Sequence, residues 1–145
     1  MNEEQASAAL LRETEAGIQM GVSSLGGIME DIESGELRQI VRDSKAEHDR
    51  LGNEARRLLD LYGSEEGSAH PVARAMSTAK TAVKMTFDRS DRTAAELITD
   101  GCNMGIRSLN HYLNVYKNAD SNITSLAKKV ISSEQRLIDG VKGYL

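Results

Sequence analysis

Apolar residues recur along most of the chain at steps of three and four, the spacing of one face of an α-helix. In the second predicted helix, about residues 36–62, this seam runs unbroken through Leu37, Val41, Ser44, His48, Leu51, Ala55, Leu58 and Tyr62. The same spacing predicts long helices at about 4–33, 94–117 and 121–144, and a shorter one at about 71–87. The pattern therefore predicts an all-α chain.

Turn-forming residues separate these helices. Ser34-Gly35 predicts a turn after the first helix, and the Gly- and Ser-rich run 63–68 predicts a loop after the second. The single proline, Pro71, suits the first turn of the short helix. Thr93 and Glu96 have the spacing of a capping box, which predicts that the third long helix begins there.

The short helix decides the predicted topology. Its roughly 17 residues would span about 25 Å, enough to carry the chain back along the bundle. Helices two and three would then run parallel, as they do in bundles with one long crossover connection. We predict a single domain, residues 1–145, built as a four-helix bundle with a crossover helix between helices two and three.

Composition narrows the classes of function. Aromatic residues make up 3% of the chain, which disfavours a strand-rich core. The net charge is −4 and the cations form no basic stripe, which argues against nucleic-acid binding. Cys102 is the only cysteine, so no internal disulfide can form. The acidic N-terminus does not resemble a signal peptide and no apolar run is long enough for a bilayer, so we expect a cytoplasmic protein without membrane contact.

Three polar residues, Glu15, His48 and Glu134, occupy the apolar seams of helices one, two and four. With a crossover, they would all lie about 16–22 Å from one end of the bundle. Two carboxylates flanking an imidazole would satisfy all three buried groups, with or without a metal ion. Taken singly, a seam His is more often a satisfied core residue, and a seam Glu often leans into solvent.

Four glycines are expected at the same height, Gly17 and Gly21 on helix one and Gly101 and Gly105 on helix three. Glycine inside a helix costs about 1 kcal/mol relative to alanine, so a compensating reason is expected. Either the helices approach closely there or the glycines leave room for a ligand.

The remaining reactive residues have ordinary structural explanations, and no catalytic residue is predicted. Cys102 lies on a seam, where thiols behave as inert apolar groups. His111 is expected at the edge of a seam, and His70 in a loop or at a helix start. Tyr112 and Tyr116 are expected to pack into the core.

Two short segments carry a resemblance to a known family. Glu47-His48 resembles the Glu-x-x-His neighbourhood of the ferritin-like superfamily, and the segment 102–105, Cys-Asn-Met-Gly, resembles part of its third helix. With the helix lengths, the chain resembles small bacterial ferritin-like bundles over nearly its whole length. The resemblance implies a ferritin-like four-helix bundle and, in complete members, six di-iron ligands.

This chain keeps only part of that ligand set. The matching positions are Glu15, His48 and Glu134, and the ligand positions that have changed hold Lys45, Ile106 and Leu137. Two carboxylates and one imidazole are too few for a dinuclear oxidase.

Two main hypotheses remain. The chain is either a non-catalytic interaction or structural protein without a cofactor, expected to form a homo-oligomer such as a dimer, or a protein that binds one Fe, Mn or Zn ion through Glu15, His48 and Glu134. A small-molecule pocket beside the glycines is a further alternative. The protein partner, if there is one, is not indicated by the sequence.

Overall fold

A computed structural model describes residues 1–62 and 88–145, which form four long helices. They are α1 (Glu3–Met29), α2 (Gly35–Leu61), α3 (Asp91–Val115) and α4 (Ser121–Val141), followed by a short 3-10 turn, Lys142–Tyr144. These residues contain no β-strand, which confirms the prediction of an all-α chain. The predicted loop 63–68 and the predicted crossover helix 71–87 lie outside the described residues.

Side-chain caps set the start of α1, α2 and α3. Asn2 and Gln5 form a reciprocal capping box at α1, and the Ser34 hydroxyl accepts from the Leu37 N–H at α2. Ser34 therefore caps the second helix, which begins at Gly35. Helix α1 ends at Met29, four residues before the predicted end at 33.

The start of α3 was predicted at the wrong residue. Ser90 is the N-cap and accepts from the Thr93 N–H, so the helix begins at Asp91 instead of near 94. The Thr93 hydroxyl donates to Asp88 Oδ2 at 2.6 Å, and Glu96 pairs with Arg92. Ser90 is available three residues earlier as an equally good cap, which is why Thr93 and Glu96 form no capping box.

Hydrogen bonds at the two ends of the bundle fix the helix directions. Asp91, at the start of α3, accepts from the Glu33 and Ser34 N–H groups at the start of α2, at 2.8 and 2.9 Å. At the opposite end, the Asp120 N–H before α4 donates to the Ser7 hydroxyl of α1 at 2.7 Å. Helices α2 and α3 therefore run parallel, and so do α1 and α4.

The packing places antiparallel helices side by side. Helix α1 packs on α2 and α3, and α4 packs on the same two helices from the other side. Helices α1 and α4 also touch across the short diagonal of the bundle. The parallel pair α2 and α3 lies across the long diagonal, so the chain leaves α2 at the end opposite to the one where it enters α3.

The apolar core is divided into two clusters. The cluster near the start of α2 and α3 is built from Leu25, Ile28, Ile32, Leu37, Val41, Ala94, Ala95, Ile98, Cys102, Leu137 and Val141. The cluster near the opposite end is built from Leu10, Leu11, Ile18, Ala55, Leu59, Leu109, Ile123, Leu126, Ala127 and Val130. Along α2 and α4, His48 and Glu134 fall between them.

Candidate functional site

The buried polar layer between the two apolar clusters is the candidate site. All three predicted seam residues are inside the protein, since Glu15 is 0%, His48 1% and Glu134 6% exposed. These three polar side chains therefore face the interior instead of solvent. They do not, however, form the single cluster of three side chains that the sequence analysis expected.

Helix α2 holds the imidazole of His48 against Gly21 of α1. A β-carbon added at Gly21 would lie 3.0 Å from His48 Cδ2 and 3.3 Å from Nε2. His48 Nδ1 lies 2.8 Å from the Ser44 carbonyl oxygen one turn earlier. A carbonyl can only accept, so Nδ1 carries a proton and the other ring nitrogen, Nε2, is left for the bundle interior.

Helix α4 places Glu134 opposite that nitrogen, with 3.9 Å between His48 Nε2 and Glu134 Oε1. The carboxylate lies directly on Gly105 of α3. A β-carbon added at Gly105 would lie 2.5 Å from Oε2 and 2.7 Å from Oε1. A side chain at this position would require the Glu134 carboxylate to move.

One oxygen of this pair has no hydrogen bond to the part of the chain that the structure describes. Glu134 Oε2 is buried and has no hydrogen-bond partner within residues 1–62 and 88–145. A buried carboxylate oxygen in this state is costly, and the cost falls when the group binds a proton.

The pKa shifts of His48 and Glu134 agree with the expectation that the buried carboxylate binds a proton more readily. Burial raises the pKa of Glu134, and the nearby His48 opposes this without reversing it. Burial alone would lower the pKa of His48, but Glu134 and the Ser44 carbonyl outweigh burial and raise it. Both directions mean that the two groups keep their protons to higher pH than they would outside the protein.

Glu15 lies at a different height from this pair. Its Oε1 lies 3.3 Å from Arg56 Nη1 and accepts from the Gln19 amide. Across the antiparallel pair, Ile18 faces Gly52 just as Gly21 faces His48. Glu15 is six residues before Gly21, so it lies about 9 Å along the axis from His48, level with Ala55 and Arg56.

The structure thus brings together two of the three predicted ligands. Among the described residues, no three His, Cys, Asp or Glu side chains are close enough to hold a metal ion. A single-ion site made of Glu15, His48 and Glu134 does not fit the side-chain positions, because Glu15 is more than one helical turn away.

The changed ligand positions do not supply a substitute donor. Lys45 lies near the surface and pairs with Asp49 at 3.4 Å. Leu137 belongs to the apolar cluster near the start of α2, and Ile106 is half-buried on α3. The residues present therefore do not fit the di-iron group of complete ferritin-like proteins.

The predicted glycine layer divides into two kinds of position. Gly21 and Gly105 form the surfaces on which His48 and Glu134 lie. Nothing lies within 4 Å of a β-carbon added at Gly17 or Gly101. Two of the four glycines thus leave room for buried polar side chains of the protein itself.

Other reactive side chains are not set up for chemistry. Burial, with a smaller effect of Glu134, raises the pKa of the Cys102 thiol to about 12, so the thiol stays protonated at neutral pH. His111 is exposed and meets the Tyr112 ring edge-on, and Tyr112 stacks on Tyr116. Both tyrosines are half-buried at the edge of the core, and His70 lies outside the described residues.

Sequence reasoning missed Arg56 and Gln19, the partners of Glu15. Gln19 is one turn after Glu15, which is a visible signal for a side-chain hydrogen bond. Arg56 follows the seam residue Ala55, and its role appears only when the α1–α2 register is known.

No described helix combines the length and the apolar character needed to cross a bilayer.

Comparisons with known proteins assign neither a family nor a function to the chain. No protein-family model, curated protein or solved structure matched the chain.

Proposed function

We propose that this protein is a ferritin-like helical bundle without catalytic activity, acting through structural or protein–protein interactions. The parallel placement of α2 and α3 supports the ferritin-like arrangement, because parallel second and third helices are a feature of bundles with one long crossover connection. The partial ligand set supports the absence of oxidase chemistry.

The observation that carries this proposal is the engagement of His48 and Glu134 with each other. Their facing atoms are 3.9 Å apart, both side chains are buried, and each lies against a glycine of a neighbouring helix. A buried polar pair of this kind fixes which helices meet and in what register. The pair serves the bundle as a structural element that joins α2 to α4.

Metal analysis tests the proposal against the metal-binding alternative. Protein purified without chelating resin and then offered Fe(II), Mn(II) or Zn(II) should retain no stoichiometric ion after desalting. The Glu134→Ala variant and the exposed-site control Glu36→Ala should give the same low content by elemental mass spectrometry. One ion per chain, lost in Glu134→Ala but kept in Glu36→Ala, would refute the proposal.

Self-association is the simplest interaction to expect of such a bundle. Met104 and Val115, 63% and 52% exposed, are eleven residues apart on α3 and so lie on the same side of it. We expect a dimer by light scattering and a monomer for Met104→Glu. A monomeric unmodified protein at high micromolar concentration would exclude this part of the proposal.

A further inference from the structure

A groove of about 660 Å³ runs between α2 and α4 on the surface of the bundle. Its volume lies in the usual range for small-molecule sites. The residues that line it are Glu47, Arg50 and Leu51 of α2, and Ser125, Lys128, Lys129, Ser132 and Arg136 of α4. None of the three buried seam residues is among them, so the groove is separate from the His48–Glu134 pair.

The charge of the groove is opposite to that of the whole chain. Four lining residues are cations and one is an acid, whereas the chain carries a net charge of −4. Glu47 pairs with Arg136 and, at 3.8 Å, with Arg50. Lys129 lies 3.8 Å from Glu54, while Lys128 has no ion-pair partner within the described residues. Together with the neighbouring Glu54, the groove thus contains two carboxylates and four cations.

Glu47 forms an ion pair with each of the two arginines of this groove. A hydrogen bond from Ser133 lowers the pKa of Glu47, burial opposes it, and Arg136 and Arg50 lower it further. The carboxylate therefore stays ionised at neutral pH and holds two guanidinium groups at the groove wall. Side chains that are already ordered lose less freedom when a ligand binds.

The donors suit a chain of linked phosphates. Guanidinium groups match phosphate oxygens in pairs, and lysine ammonium groups add point charges. The hydroxyls of Ser125 and Ser132 are further donors on the same wall. From Ser125 to Arg136 the wall extends over eleven residues of α4, or about 16 Å, so several phosphates can meet cations at once.

We propose that the α2–α4 groove binds a small anion containing linked phosphate groups, with Lys128 and Arg136 as its main contacts. The linked phosphates can come from an inorganic polyphosphate or from a nucleoside triphosphate. Leu51 is the one apolar side chain of the wall and would contact a non-phosphate part of the ligand.

Titration calorimetry with inorganic tripolyphosphate tests this site in the full chain. We expect saturable binding of one anion per chain, weakened at least tenfold in Lys128→Ala and in Arg136→Ala and lost when both are changed. Inorganic phosphate, which lacks linked groups, should bind at least tenfold more weakly. The charge-matched controls are Lys117→Ala and Arg107→Ala, exposed residues outside the groove, and they should bind like the unmodified protein.

Two results would overturn the proposal. One is the absence of saturable tripolyphosphate binding at millimolar concentration. The other is an equal loss in the groove variants and the control variants, which would mean general attraction of anions. Adenosine triphosphate serves as a second probe, because tighter binding than tripolyphosphate would indicate a nucleotide and equal binding an inorganic chain. These results do not depend on whether the core binds metal.

Discussion

Glu15 and Glu134 are both buried carboxylates, yet the protein satisfies them in two different ways. Glu15 is reached by Arg56, whose side chain is 37% exposed and extends from solvent to the core. Glu134 instead faces the buried imidazole of His48, with 3.9 Å between Nε2 and Oε1. The first acid lies beside a cation that stays partly hydrated, and the second lies beside an imidazole whose charge depends on pH.

The difference teaches that two polar residues at the same kind of position in the helical repeat can play different roles in the structure. An arginine that remains partly in water loses less hydration than a fully buried ion pair. A His–Glu pair instead depends on where one proton resides, and therefore on pH. The following predictions separate the two arrangements.

The largest effect is expected for His48→Ala. This change leaves a cavity against Gly21 and removes the only charged partner of Glu134 in the described structure, so it should cost about 3–5 kcal/mol of unfolding free energy. Denaturant titration followed by circular dichroism measures this. His111→Ala, which removes an exposed imidazole, is the matched control and should cost well under 1 kcal/mol. A loss below about 0.5 kcal/mol for His48→Ala would show that its ring faces water.

Arg56→Ala should have the next largest effect, about 2–3 kcal/mol. It removes the cation beside the buried Glu15, but Gln19 still donates to that acid and Arg56 is partly screened by solvent. The neighbouring exposed residue supplies the control Arg57→Ala, which should change stability by less than about 0.5 kcal/mol. Equal losses in the two variants would mean that the Glu15–Arg56 contact contributes nothing specific.

Gly105→Ala should cost about 1–3 kcal/mol, because the added carbon collides with the Glu134 carboxylate. Gly101→Ala, one turn earlier on α3 and without neighbours, should instead stabilise by about 0.5–1 kcal/mol through helix propensity. In a Glu134→Ala background the collision is gone, and Gly105→Ala should also become stabilising. Additive effects of the two changes would contradict the contact.

The smallest expected effect is a dependence of stability on pH. The folded-state pKa of His48 is raised above 6.5, so its protonation stabilises the fold fully below pH 6.5, and this contribution is lost as the pH rises through the folded-state value. Glu134 has the same sign, with stability declining as the pH rises from about 4.5 through its raised folded-state pKa. The unfolding free energy should therefore fall as the pH rises above about 6.5 in the unmodified protein, and less steeply in Glu134→Gln. Parallel pH profiles would contradict an interaction between His48 and Glu134.

The spacing of apolar residues predicted which helix residues are buried better than it predicted where each helix ends or which residues lie at the same level along the bundle. In the last predicted helix the seam residues Ile123, Ala127, Val130, Glu134, Leu137 and Val141 are buried, and the final one, Tyr144, is half-buried. On α2 the sequence pattern predicted that Leu51 and Leu58 are buried, whereas the structure buries the next residues, Gly52 and Leu59. A straight α-helix has 3.6 residues per turn, so a strict 3.5-residue seam drifts off the core within two heptads.

The candidate site could be predicted only in part, for a related reason. Heights counted from helix ends carry errors of several residues, and four residues are a full helical turn. This placed His48 and Glu134 together correctly but misplaced Glu15, whose level is set by the contact between Ile18 and Gly52. The groove was missed because its cations lie on the exposed faces of two helices that are distant in sequence.

The contact between Gly105 and Glu134 has a consequence for how this protein can change through evolution. A larger residue at 105 displaces the Glu134 carboxylate, and loss of the acid removes the reason to keep a helix-weakening glycine. The two positions should therefore covary among descendants of this sequence. Lineages that lose Glu134 are free to exchange Gly105 for alanine, whereas lineages that keep the acid must inherit both residues together.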